Sequence, residues 1–307
     1  MKIALILKGD ISDRRKFSRE LIELEKAFPS PGITLLESDH AGHAVELAAR
    51  ACGEFDYLIA VGGDGTLHEI LNGCMQARRA SAGLDLPVLG VLAHGSANDF
   101  VRSIGLEGSV EELTSLIRSR AGRRIDAGSV TCENSAGESV EHYFLNVADV
   151  GIGASVLERL RKRQTFLGSN LNYLKAIVAT FLTYRQMELH VASDEGLDWQ
   201  GRALALVAAN GCYFGSGLCV APGASLDDGK LFLTLIGDAS IVDFMMNLGR
   251  LKRGIPLDHP AAQYHQAGSV RVISPGRPAP VEADGEFLGY TPAAIELLPG
   301  AVTFLAP

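Results

Sequence analysis

The 307-residue sequence predicts a parallel α/β domain over 1–125 followed by a mostly β domain over 126–307, whose last residues can return to the first. Three observations carry this. Apolar runs alternate with helix-length stretches up to about residue 125; glycine-rich turns sit at the ends of two of those runs; and beyond Asp126 the runs become strand-like and closely spaced. The first half reads as strand 2–7, helix 13–27, strand 33–36, helix 42–52, strand 56–61, helix 66–79, strand 87–92, then helices 98–104 and 109–119. Met1–Lys8 is too short an apolar run for a signal peptide and reads as a first buried strand. In such a sheet, ligands bind at the carboxyl ends of the strands.

The second half offers strands at Tyr143–Val147, Met187–Ala192, Ala203–Ala209, Leu231–Ile236, Val270–Ile273 and Ala294–Leu298. Two helical insertions, 153–185 and 240–253, mix apolar residues with Arg159, Arg161, Lys162 and Arg163, then Arg250, Lys252 and Arg253. Such helices are solvated faces or rest on anionic lipid. With 47% hydrophobic and 21% charged residues the composition is that of a globular protein, and a net charge of −8 argues against general nucleic-acid binding. Five cysteines without C-x-x-C spacing indicate reduced core thiols in a cytoplasmic protein. No run approaches the ~18 apolar residues of a membrane span.

Val61-Gly62-Gly63-Asp64-Gly65-Thr66-Leu67-His68-Glu69 ends a strand in a glycine turn and opens a helix. The glycines permit close backbone approach, Thr66 and Glu69 have capping-box spacing, and a helix N-terminus attracts phosphate. Asp64 would repel that phosphate, so a cation is expected between them, and Mg²⁺ suits oxygen ligands. The stretch matches neither a Walker loop nor a dinucleotide fingerprint. A second such loop follows the next strand, Ala93-His94-Gly95-Ser96-Ala97-Asn98-Asp99-Phe100, where Ser96 and Asn98 offer short polar groups and Asp99 another carboxylate. In Glu282-Ala283-Asp284-Gly285-Glu286, an extended backbone would point Asp284 and Glu286 the same way, with Asp284 as general base. The turn Ser225-Leu226-Asp227-Asp228-Gly229-Lys230 is either a plain hairpin turn or a divalent-cation site.

Together these segments resemble the diacylglycerol kinase catalytic family, which includes bacterial lipid kinases and sphingosine kinases. Gly62–Glu69 is similar to its G-G-D-G-T-x-x-E, Gly95–Phe100 to G-T-[GA]-N-D-F, Ile125–Gly128 to I-D-x-G, Asn146–Gly153 to N-x-x-x-x-G-x-G, and Asp284–Glu286 to D-G-E. The resemblance implies a Rossmann-like nucleotide domain of the NAD kinase and phosphofructokinase type and a C-terminal β-sandwich for the lipid. It assigns Ser38, Gly42, Gly62, Gly63, Asp64, Gly65, Thr66, Glu69, Gly95, Ser96 and Asn98 to ATP. Asp64, Asp99 and Asp126 go to catalytic Mg²⁺, and Ser225, Asp228 and Lys230 to a structural Mg²⁺. Asp284 becomes the base with Glu286 as its partner, and Asp64 joins them in catalysis. Two departures stand out: Lys8-Gly9-Asp10-Ile11-Ser12 replaces the family's N-P-x-[SA]-G, and His94 replaces an apolar residue, expected either partly exposed or touching nucleotide or substrate.

The expected activity is ATP- and Mg²⁺-dependent phosphorylation of diacylglycerol to phosphatidic acid by a peripheral membrane protein, with a homodimer allowed. The alternatives are a kinase of phosphatidylglycerol, of a sphingoid base or of a soluble alcohol such as NAD, or a nucleotide- or lipid-binding regulator with weak catalysis.

Overall fold

The computed structural model describes residues 1–9, 11, 13–29, 32–162, 179–180 and 183–307. Asp10 and Ser12 of the first loop, and Arg163 with most of the expected 153–185 insertion, lie outside the described residues. The chain forms two compact units, Met1–Ile125 with Gly300–Pro307, and Asp126–Pro299.

In the first unit, β1 (Ile3–Lys8), β2 (Ile33–Ser38), β3 (Tyr57–Gly62) and β4 (Val88–Ala93) form a parallel sheet in the order β2-β1-β3-β4. The chain's last residues add one more parallel neighbour through Phe304, paired with Leu89. Helices α1 (Arg14–Ala27), α2 (His43–Ala51), α3 (Asp64–Ala80), α4 (Asp99–Ser103) and α5 (Val110–Ser119) connect the strands. Each element starts and ends within two residues of its expected bounds. The reason is local: β1 and β3 are near-continuous apolar runs, as strands buried on both faces must be. Asp13 and Ser109 cap α1 and α5 by accepting the amides of Lys16 and Glu112. Leu5, Leu7, Phe17, Leu24, Ile59, Val61, Leu113 and Ile117 share one core, each side chain contributing roughly 1.5–3 kcal/mol by burial. Gly73 lets α3 pack closely on α2, because a Cβ there would lie 2.3 Å from the Val45 carbonyl oxygen.

The second unit is a β-sandwich. One layer runs β14 (Ala262–Ala267), β13 (Leu231–Ile236), β10 (Ala205–Ala209), β7 (Val147–Gly151), β16 (Pro280–Ala283) and β17 (Glu286–Leu305), all antiparallel. The other holds β5 (Gly122–Glu133) with β6 (Ser139–Phe144), and β15 (Ser269–Ile273) with β8 (Met187–Ser193) and β9 (Asp198–Ala203). The long strand β17 serves both layers, pairing with β16 near its start and with β15 further on. Val130, Phe144, Val191 and Val272 from one layer meet Val150, Leu206, Leu233 and Val281 from the other in one core. Helix α6 (Ile152–Lys162) follows β7; between β11 (Tyr213–Phe214) and β12 (Leu218–Cys219) the chain makes a tight hairpin; and α7 (Ile241–Lys252) has a full Ser240/Asp243 capping box.

The expected strand Tyr143–Val147 is instead a break. β6 ends at Phe144 and β7 begins at Val147, leaving the amides between them for other work.

Two of the buried carboxyl groups of this unit face each other across neighbouring strands. Asp149 and Glu282 are cross-strand partners on β7 and β16 and almost wholly inaccessible. Burial pushes Asp149 up to about 7, against the pull of the Ala154 and Gly153 amides. Burial, and then the neighbouring Asp149, hold Glu282 well above the carboxylate range. A raised carboxyl keeps its proton in the folded chain while the unfolded chain has lost it, so stability falls as pH rises from about 4 to about 7. Asp149→Asn is therefore expected to raise the melting temperature at pH 7.5 by a few degrees, with little change at pH 4, and to flatten the slope between. Equal melting shifts at both pH values would show that Asp149 is charged in the fold.

Candidate active site

The residues singled out in the sequence fall into two clusters, one in each unit. In the first, β3 and β4 are neighbours, so the loops that leave their carboxyl ends lie side by side. They touch through glycine. A Cβ on Gly95 would sit 2.4 Å from Gly63 Cα, and one on Gly63 would sit 2.8 Å from Gly95 Cα. Gly62 makes room for Thr66, whose Oγ1 would lie 2.2 Å from a Cβ at that position. The His94 amide donates to the Gly62 carbonyl at 2.8 Å, and the Asn98 side chain, in left-handed backbone at φ +50°, donates to the Gly95 carbonyl at 3.0 Å.

Helix α3 begins at Asp64 and its N-cap is Gly63, with no side chain capping it. The Thr66/Glu69 capping box is therefore absent. Glu69 instead reaches across to α2 and accepts the amides of Gly42 and Ala44 at 3.2 and 3.1 Å, standing in for the cap that Gly42, at φ +83°, cannot supply. The first-turn amides of a helix without a side-chain cap suit a phosphate.

Asp64 also has a partner the sequence did not reveal. Its two carboxylate oxygens accept the amides of Asp99 and Phe100 at 3.1 and 3.0 Å, so it caps α4. The positive end of that helix balances the charge for which a cation was invoked. Asp99 is buried beside it and accepts Arg102 at 3.3 Å. Asp64 and Asp99 bring two carboxylates to this edge, the donor type that suits a hard, oxygen-seeking ion. Ser38 is buried at the end of β2, and its carbonyl oxygen lies where a Cβ on Gly9 would be, 2.2 Å away. Arg14 donates to the Gly9 carbonyl and pairs with Glu37, which ties down that altered first loop. Ser96 is exposed.

His94 is partly exposed as a residue, but its side chain turns inward. Its side chain is 2% accessible, bonded through Nε2 to Glu20 on α1 at 2.6 Å, with its ring edge-on to Phe17.

In the second unit Asp284 is held by the break between β6 and β7. Its carboxylate accepts the amides of Leu145, Asn146 and Val147 at 2.8, 3.0 and 3.0 Å, and its own amide donates to the Val147 carbonyl at 2.9 Å. The segment is not extended. Asp284 and Gly285 have φ +49° and +87°, the pattern of a type I′ turn, and Ala283 pairs with Glu286 to close the hairpin. Glu286 thus closes the β16–β17 turn and is exposed, rather than sharing a face with Asp284 in a strand. Glu282 Oε2 accepts the Gly285 amide at 2.9 Å and braces the turn from within.

Asp126 belongs to the Ser225–Lys230 turn. Its carboxylate accepts the Gly229 amide at 2.8 Å, its own amide donates to the Leu226 carbonyl at 2.7 Å, and Asp228 Oδ1 accepts the Lys230 amide at 3.0 Å. The hydroxyl of Ser225 donates to Asp227. Asn210, unnoticed in the sequence, is fully buried and ties the parts together: Nδ2 donates to the carbonyls of Asp126 and Leu145, while its amide donates to Asn146. Its one sequence signal is a polar residue ending the apolar run Leu204–Ala209. A pocket of about 530 Å³ in this unit is lined by Glu158, Arg159, Thr180, Tyr184, Arg277 and Tyr290 among others. Arg159 donates to the Thr183 hydroxyl at 2.9 Å.

The family profile described as diacylglycerol kinase catalytic domain matches residues 4–130, and that of the YegS C-terminal NAD kinase beta sandwich-like domain matches 146–306. A diacylglycerol kinase of Bacillus subtilis is 30% identical over 301 residues, 95% of this chain and 92% of the relative. One from Staphylococcus carnosus is 27% identical over 296 residues, 95% and 91% of the two chains. The fold is shared with a diacylglycerol kinase structure from Bacillus anthracis, TM-score 0.71 at 21% identity, covering 100% and 97%. It is shared more distantly with yeast NADH kinase, TM-score 0.54 at 12% identity, covering 100% and 84%.

The glycine contact and the Glu69 cap each lend themselves to measurement. Gly95→Ala should cost about 2 kcal/mol or more in urea unfolding, since backbone cannot retreat as a side chain can, and Glu69→Ala about 1 kcal/mol. A neutral Gly95→Ala would mean that the two loops do not touch.

Proposed function

The chain belongs to the diacylglycerol kinase family and is a lipid kinase; from that premise we propose that it moves the γ-phosphoryl group of ATP to the primary hydroxyl of diacylglycerol, giving phosphatidic acid. The observation that carries this reading is the fixed placement of Asp284. A carboxylate gripped by three amides cannot swing away, and a general base must keep its oxygen within hydrogen-bond reach of the hydroxyl it serves. Asp284 takes the hydroxyl proton as the hydroxyl oxygen bonds to the γ-phosphorus and ADP leaves. Glu286 and Glu282 hold the turn that presents it.

The uncapped start of α3, with Gly62, Gly63, Gly65 and Thr66, receives the phosphates, and Gly95, Ser96 and Asn98 border them from the second loop. Ser38, Gly42 and Glu69 shape the nucleotide side of the same edge. Asp64 and Asp99 would hold Mg²⁺; bound there, the ion would neutralise the triphosphate. A second Mg²⁺ suits the Ser225–Lys230 turn through Asp228 and the carbonyls of Ser225 and Lys230. The Glu158–Tyr290 pocket, of drug-like volume and mixed polarity, takes the acceptor.

No helix among the described residues is long and apolar enough to cross a membrane. In this reading lipid is met by α7, where Val242, Met245 and Met246, 60%, 50% and 69% exposed, share one face at i, i+3, i+4 spacing. Lys252 and Arg253 follow at its end, exposed and positive, as an anionic surface requires.

Incubation with γ-labelled ATP and Mg²⁺ against dispersed diacylglycerol, phosphatidylglycerol and sphingosine, and soluble NAD, is expected to label phosphatidic acid. Label in another acceptor alone would overturn the assignment of diacylglycerol. Sedimentation with vesicles rich in phosphatidylglycerol should carry down the protein, and Met246→Glu should reduce the bound fraction several-fold. Equal binding by the variant would exclude α7 as the contact.

A further inference from the structure

The turn between β2 and α2, Asp39-His40-Ala41-Gly42-His43, gathers three side chains that the nucleotide reading leaves unused. One oxygen of Asp39 and one ring nitrogen from each of His40 and His43 all lie within 4.8 Å of one another, the one such cluster of three or more among the described residues. Asp39 Oδ1 is 2.7 Å from His43 Nδ1 and 3.3 Å from His40 Nε2. The two rings stack, centroids 4.9 Å apart and planes 19° from parallel.

Neutral imidazoles cannot satisfy these contacts with protons alone. His40 Nδ1 faces the Ala41 carbonyl at 3.0 Å, a contact only an N–H can make favourable, and that leaves Nε2 a bare lone pair opposite the Asp39 oxygen. His43 Nδ1 lies 2.7 Å from Asp39 Oδ1 and 3.2 Å from the Asp39 amide, and a single proton on it cannot serve both contacts. One carboxylate oxygen thus faces two ring nitrogens whose contacts protons on neutral rings cannot all satisfy. A cation removes the conflict.

We propose that Asp39, His40 and His43 bind a divalent transition metal of the zinc class, through His40 Nε2, His43 Nδ1 and an Asp39 carboxylate oxygen. Two imidazoles and one carboxylate favour Zn²⁺ over Mg²⁺, which prefers oxygen ligands in an octahedron. The bond from His40 Nδ1–H to Ala41 is the outer contact that orients a ligating imidazole. Asp39 and His40 are exposed and His43 half-buried, so the ion has a path in. Glu69 does not compete, being engaged with the Gly42 and Ala44 amides. Three protein ligands leave a fourth tetrahedral position for water.

The full-length protein, stripped with chelator, is titrated with Co²⁺ while the visible d–d absorption is followed, then with Zn²⁺. The expected result is saturation near one equivalent with tetrahedral-type intensity, displacement by Zn²⁺, and no displacement by excess Mg²⁺. His40→Ala, at an exposed position, should fold normally by circular dichroism and bind Co²⁺ at least about tenfold more weakly, and Asp39→Asn should weaken it in the same direction. No saturable absorption in the wild type overturns the proposal, and so does absorption unchanged in His40→Ala and His43→Ala, which would put the metal on other residues.

Discussion

The contact of Gly63 with Gly95 is the constraint from which the first unit's site follows. Two strands in parallel register deliver two loops to the same edge, and only backbone without Cβ atoms lets them close to this distance. Once they touch, Asp64 at the start of one helix reaches the first amides of the next, and α3 and α4 become one rigid piece. Under the proposed function, a phosphate arriving at that edge would meet amides already in position, which is how such sites avoid the cost of reorganising around charge.

The second unit uses backbone amides in the same way, but for a side chain of its own. The gap between β6 and β7 turns three consecutive amides toward Asp284, and the I′ turn that carries Asp284 is braced from below by Glu282. Asn210 ties the same gap to Asp126 and, through Asp126, to the Ser225–Lys230 turn. Residues from five separate stretches of sequence thus form one connected network. The interior cost of this design shows in Asp149 and Glu282, two carboxyls kept protonated by burial next to one another.

The sequence made the α/β half legible because burial on both faces leaves continuous apolar runs, and glycine turns mark where they end. It made the strands of the second unit legible where they alternate or are wholly apolar, as at Leu231–Ile236. What it hid were long-range partners. Glu69 has the spacing of a local cap and serves another helix; His94 sits in a ligand loop and belongs to α1 through Glu20; Asp284-Gly285-Glu286 reads as extended and is a turn, although Asp-Gly is the strongest hairpin signal there is. Asp149 and Asn210 carried no motif of their own, since what makes them matter is the strand or carbonyl opposite.

That Asp284 acts as a base, and not only as a clamp on residues 145–147, is the claim most directly open to experiment. Asp284→Asn keeps the shape and one acceptor oxygen while removing the basic group, so single-turnover phosphoryl transfer to diacylglycerol should fall about 10²–10⁴-fold with nucleotide affinity nearly unchanged, while the melting temperature drops because one backbone amide loses its acceptor. Transfer at the wild-type rate in a folded Asp284→Asn enzyme would contradict the account and leave Asp284 a structural residue.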